Sequence, residues 1–264
     1  MDQIDLHGIH VKTAQDPFNT CVKAQANWKT LNEQELIIIA VKQYDLEGLL
    51  PILRTIPIHI PLLFIQNGMG HLTYLSTLNN ETILLGTVEH GALKMNDHSV
   101  YHSGFGKTNI AYFRGDKQIL PTTIMQNGSF PFNLHHDFEE MLERKLIVNA
   151  MINPLTALFR VKNGMLLTNP SYLALLHTLY EEVISCFPKM KGKMTIKEVE
   201  RICQSTSDNK SSMFKDIEEG RQTEVDAILG YVLKRGMEMG IKLPMVAFLY
   251  ESIKGMEYER GLRE

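Results

Sequence analysis

The chain is short of cysteine, and its few cysteines form no pattern. Cys21, Cys186 and Cys203 are far apart, odd in number and include no CxxC pair. That excludes a disulfide framework or a cysteine-based zinc site and leads to the expectation of a reducing, cytoplasmic location. The opening residues MDQIDLHGIHVK are polar and hold no signal-peptide core. No apolar run approaches the ~20 residues of a membrane helix, so no membrane partner is expected. Charge of one sign is not in excess either. With 27 Lys and Arg against 30 Asp and Glu, the net charge is -3. A nucleic-acid binder would show a basic excess or stripe, and neither is present. Lys189, Lys191 and Lys193 read as a short solvated turn between helices.

Several catalytic signatures are missing as well. No G-x-S-x-G elbow or paired Cys/His arrangement supports a hydrolase. The segment Gly104-Phe105-Gly106-Lys107-Thr108 resembles part of a phosphate loop. It has no glycine five residues before Gly106, and a strand rather than a helix follows it. The pairs His135-His136 and His98/His102 have no third ligand convincingly placed, so no metal is expected.

What is present is an ordinary globular composition, 44% apolar and 22% charged, over 264 residues, enough for two modest domains. The first half reads as α/β. Leu36–Val41, Leu62–Ile65 and Thr82–Val88 are short apolar runs suited to strands buried on both faces of a parallel sheet. A helical pattern, roughly Leu46 to Leu53, separates the first two. Ser99–His102 and Asn109–Phe113 flank a Gly-Phe-Gly turn and read as an antiparallel pair closing the sheet. From about His136 onward the character is helical. The expected helices span Asp137–Phe159 (interrupted at Pro154), Pro170–Phe187, Ile196–Gln204, Ser211–Gly236 and Pro244–Met256.

The most informative segment is Lys145-Leu-Ile-Val-Asn149-Ala-Met-Ile-Asn153-Pro154. Lys145, Asn149 and Asn153 fall at i, i+4 and i+8, so a helix presents them as one polar column. Every residue between them is apolar, and burying an unpaired polar group costs ~1–3 kcal/mol. The column therefore faces either a ligand cleft or an internal network with Lys145 reaching water, and the pattern alone leaves both open. Asn67 ends a strand in an Asn-Gly turn, at the sheet edge where α/β proteins bind ligands, although such turns are common without one. Lys42 follows the preceding strand and would line the same rim. Ser211 and Ser212 precede a long helix, where serine usually caps. Glu224 lies within that helix pattern, where acids are normally surface decoration.

Read together, these segments resemble the ketopantoate reductase (2-dehydropantoate 2-reductase) family. The resembling stretches are Val41–Gln43, Leu63–Gly70, Glu89–Ala92, His102–Gly106, Lys145–Ala157, Asn163-Gly164, Ser211–Ile217 and Arg221–Ile228, in family order. The resemblance implies reduction of ketopantoate to pantoate with NADPH, on the route to pantothenate and coenzyme A. It implies that Lys145 is the general acid and that Glu224 orients it and contacts NADP(H). Asn67, Asn149, Asn153, Asn163 and Ser212 would bind substrate, and Lys42, Asn67, Ala92 and Glu224 the cofactor. The implied partner is a small 2-keto acid, and a homodimer is left open. The family opens with a strand, a G-x-G-x-x-G turn, a helix and a second strand, and no such turn precedes a helix here. The expected fold class is thus α/β: a partial Rossmann-type dinucleotide-binding domain over 1–135, lacking that opening, followed by an all-α substrate domain over 136–264. A related 2-keto acid reductase, or a cofactor-poor, non-catalytic remnant that binds a keto acid or a protein partner, are the alternative readings.

Overall fold

A computed structural model describes residues 2–13, 17–26, 34–115 and 130–263. The chain divides into two compact units. The first comprises Met1–Ala40, Gly48–Ile65 and Ser76–Phe138; the second comprises Val41–Glu47, Gln66–Leu75 and Glu139–Glu264. Two short segments from the α/β half thus belong with the helices.

The first unit opens with helix α1 (Asp2–His7) and strands β1 (Ile9–Lys12) and β2 (Phe18–Thr20). Its apolar runs become β3 (Ile37–Ile39), β4 (Leu62–Phe64) and β5 (Ile83–Val88), parallel and in register at Ile38, Leu63 and Leu84. β4 and β5 are buried on both faces, which suits their Leu- and Ile-rich runs. β3 is the sheet edge and leaves Ile38 47% exposed, so the expected two-sided burial does not hold there. Strands β6 (Gly91–Lys94), β7 (Ser99–Gly104), β8 (Thr108–Arg114) and β9 (Phe132–His135) complete two sheets. The orders are β3-β4-β5-β8-β9 and β2-β1-β7-β6. Leu63, Leu84 and Ile110 form the buried centre of the larger sheet.

The expected antiparallel pair of Ser99–His102 with Asn109–Phe113 does not form. β7 pairs with β6 and β1, whereas β8 runs antiparallel to β5, with Gly86 opposite Ile110. Burial explains the choice. The first four residues of β8 are fully buried and fit beside β5, while most of β7 is only partly covered.

After helices α2 (Gln43–Leu53) and α3 (Leu72–Leu75), the second unit is built on the 22-residue α4 (Phe138–Phe159). The expected interruption at Pro154 is absent. Proline removes one helix hydrogen bond, but Met151–Ala157 are all buried, and packing holds the helix continuous. α5 (Met165–Thr168), α6 (Pro170–Ser185), α7 (Ile196–Ser205) and α8 (Ser212–Glu218) follow. Asn169 caps α6, and a Thr195–Glu198 capping box starts α7, so both begin where their side chains direct. Between them Lys189 and Lys193 lie exposed and pair with Glu139 and Glu140.

The expected single helix over Ser211–Gly236 is two. Gly220, at φ +66°, ends α8 in the left-handed conformation that glycine adopts readily, and Arg221 N–H returns to the Asp216 carbonyl at 2.8 Å. A π-helical turn, Asp226–Gly230, then leads into α9 (Tyr231–Glu238). Glu224 therefore sits in the bend before the helix, not inside it. α10 (Pro244–Tyr258) closes the unit. Among the described residues no helix is long and apolar enough to cross a membrane.

Candidate active site

α4 carries the polar column as the spacing requires. Lys145 and Asn149 are half-buried, and Asn153 is buried. Asn153 Nδ2 donates to Ser212 Oγ at 3.4 Å. The two serines separate in role here. Ser211 is the buried N-cap of α8: its Oγ accepts from Phe214 N–H at 3.1 Å and from Thr156 Oγ1 at 2.7 Å. Ser212 is exposed and keeps its hydroxyl near Asn153.

Asn163, only 7% exposed, donates its amide to Thr206 Oγ1 at 2.9 Å, and its backbone N–H to Asn209 O at 3.0 Å. Its Oδ1 is buried with no hydrogen-bond partner among the described residues. Such an acceptor costs ~1–3 kcal/mol until a donor reaches it.

A second cluster is ionic. Glu224, 6% exposed, accepts on Oε2 from Asn67 Nδ2 at 2.8 Å and lies 3.4 Å from Lys42 Nζ. Lys42 also contacts Asp216 Oδ2 at 3.0 Å, and Asp216 Oδ1 takes Arg221 Nε at 3.0 Å. Burial works against the Lys42 ammonium, but Glu224 and then Asp216 outweigh it and hold its pKa above the ordinary lysine value. Lys42 and Asn67 thus share one carboxylate. Asp216 was not singled out from the sequence, because an acid on an amphipathic helix resembles surface decoration; its partner Lys42 is 174 residues away. Ser212 and Asp216 are one helical turn apart on α8, so one face of this helix serves both clusters.

The Asn67 turn is fixed by close packing. Gly68 has φ +78°, and a Cβ there would lie 2.2 Å from Ala227 O. Gly68→Ala is expected to destabilise the protein by at least ~1–2 kcal/mol from backbone conformation alone. Thermal unfolding would check this, and an unchanged Tm would refute it.

Ala92 belongs to the first unit, where it is exposed on β6 opposite His102. Among the described residues no group of three or more His, Cys, Asp or Glu is placed to hold a metal. Burial pushes the Cys203 thiol up to about 12, which removes it as a nucleophile.

The model of the ketopantoate reductase PanE/ApbA family matches residues 1–115, and that of its C-terminal part matches residues 137–257. A 2-dehydropantoate 2-reductase of Listeria monocytogenes is 40% identical over 262 residues, covering 98% of this chain and 86% of that protein. The chain belongs to the ketopantoate reductase family. Its members are dinucleotide-dependent reductases. The crystal structure of a probable 2-dehydropantoate 2-reductase from Bacillus subtilis superposes with a TM-score of 0.87 at 35% identity, covering 97% of this chain and 88% of that one. A D-mandelate dehydrogenase in ternary complex with NADH and anilino(oxo)acetate gives 0.83 at 20% identity, covering 99% and 88%, a likeness of fold alone.

Proposed function

We propose that the chain reduces ketopantoate to pantoate with NADPH. The observation that carries this reading is the unpartnered Asn163 Oδ1. A buried acceptor with no donor among the described residues fits a substrate that has its own hydroxyl to donate.

The donor set also fits a dinucleotide. Lys42 offers an ammonium for a phosphate or ribose oxygen, Asn67 an amide, and Glu224 a carboxylate acceptor for a hydroxyl. NADPH held there would supply the hydride for the keto carbon. The remaining work falls to side chains. Asn149 and Asn153 orient the keto and hydroxyl groups, and Ser212 meets the carboxylate. Lys145 donates a proton to the carbonyl oxygen as negative charge builds there, and its own charge stabilises that oxygen before transfer. Glu224 holds Lys42 and Asn67 in place, and Ala92 is a cofactor contact on the family resemblance alone.

The test is the loss of NADPH absorbance with ketopantoate, followed against a panel of other 2-keto acids. Pantoate formed in step with NADPH consumed is the expected result. A clear preference for another keto acid would overturn the substrate. No reaction with any of them would overturn the activity.

A further inference from the structure

Glu257, near the end of α10, is 0% exposed. A carboxylate this deep needs partners for both oxygens, because an unmatched buried charge is costly. Oε1 accepts the Thr223 backbone N–H at 2.6 Å, and Oε2 accepts Arg263 Nε. The other arm of Arg263 donates to Asp226 Oδ2 at 2.6 Å, and Asp226 Oδ1 accepts from Tyr250 OH at 2.6 Å. Thr223 Oγ1 in turn accepts from Val225 N–H at 3.2 Å.

These bonds fall on either side of Glu224. Residues 221–223 belong to no helix or strand, and 224 is a bend. Only the Glu224 carbonyl joins the helix that follows, accepting Ile228 N–H at 3.1 Å, and its N–H side enters from a stretch with no regular ladder. The direction in which Glu224 leaves the chain is set by Thr223 on one side and Asp226 on the other, and both are held by α10 and the residues just after it. The widened π turn from Asp226 begins where this anchoring ends, and such turns are frequent at functional sites.

We infer that Glu257, joined to Arg263, is a positioning residue: it fixes the Thr223–Asp226 backbone so that the Glu224 carboxylate meets Asn67 and Lys42. The inference rests on the reading of Glu224 as a site residue. It assigns Glu257 no contact with substrate or cofactor.

Three variants test it: Glu257→Leu, which removes both bonds; Glu257→Gln, which keeps an oxygen for Thr223 N–H; and Arg263→Met, which decides with the Gln variant if the Leu variant does not fold. The first readout needs no cofactor. The Lys42 ammonium is titrated by NMR in the whole chain, with exposed Lys189 as internal reference. Loss of the clamp is expected to move the Lys42 pKa down toward an ordinary lysine and to leave Lys189 unchanged. The second readout is turnover, expected to fall by the order of 10- to 100-fold in Glu257→Leu, as for small misplacements of a site group, and less in Glu257→Gln. In a Glu224→Gln background the Glu257 substitutions should add little. An unmoved Lys42 pKa, or a Glu257 loss that multiplies in full on Glu224→Gln, would overturn the clamp alone. Wild-type turnover in Glu224→Gln by itself would overturn the role of Glu224, and the inference with it.

Discussion

Replacing Lys145 with alanine is expected to lower kcat for ketopantoate by roughly 10²- to 10⁴-fold, the usual range for removal of a positioned general acid. The loss should appear mainly in kcat, because the proton transfer and the charge it stabilises exist only in the transition state. The fold should survive. Lys145 is half-buried on the long α4, and alanine is the best helix former. Lys145→Arg separates the two contributions. Arginine keeps the positive charge but does not release its proton in a protein, so it should recover any electrostatic share and none of the proton transfer. The neighbouring Arg144 is the control. It is exposed and bound to Glu198 at 2.7 Å, so Arg144→Ala should change turnover by no more than about twofold, the scale of a surface ion pair. A Lys145→Ala protein with the wild-type kcat would remove the column from the chemistry.

That column is legible in the sequence because helical spacing is local. Lys145, Asn149 and Asn153 need only a continuous helix to align, and α4 provides one. The parallel strands were legible for a similar reason, since a short run such as Leu62–Phe64 bounded by turns has few other solutions. Pairing was less accessible. β7 and β8 each carry a strand signal, but whether Ser99 faces Asn109 or Lys12 faces Tyr101 is decided by the whole sheet. The bend at Glu224 was hidden by amphipathic spacing that runs straight across it, from Ile217 to Val225 and Ile228. Gly220 was the available clue, because a glycine within a helical pattern often marks its end. Asp216 and Glu257 show the limit more sharply. An isolated acid reads as solvated until its partner is known, and their partners come from distant segments or from the backbone. The resemblance to a family supplied roles for Lys42, Asn67 and Glu224. The structure adds that Lys42 and Asn67 meet on the Glu224 carboxylate and that Asp216 and Arg221 belong with them.

His71 gives a stability prediction of comparable weight. It follows the Asn67 turn, is 0% exposed, and has no partner on either ring nitrogen among the described residues. Burial holds its pKa down to about 4, against ~6.5 in an unfolded chain. Above pH ~6.5 the ring is neutral in both states and contributes no pH dependence. As pH falls from there toward about 4 the unfolded chain takes up a proton that the folded protein refuses, so stability declines. The total loss is ~3 kcal/mol, from ~1.4 kcal/mol per pH unit across that window. Urea unfolding at pH 7 and pH 4.5, compared with His71→Phe, isolates this share from the carboxylates. The variant should lose most of the decline and be no less stable at neutral pH, because an unmatched polar ring gives way to an apolar one of similar shape. His71 lies on the same Gln66–Leu75 segment as Asn67. Acid unfolding of this segment should therefore also release Asn67 from Glu224, and activity should fail over the same window. An identical pH slope in wild type and His71→Phe would show that the buried ring is protonated in the folded protein, and that the Asn67 turn is not the acid-sensitive part of the second unit.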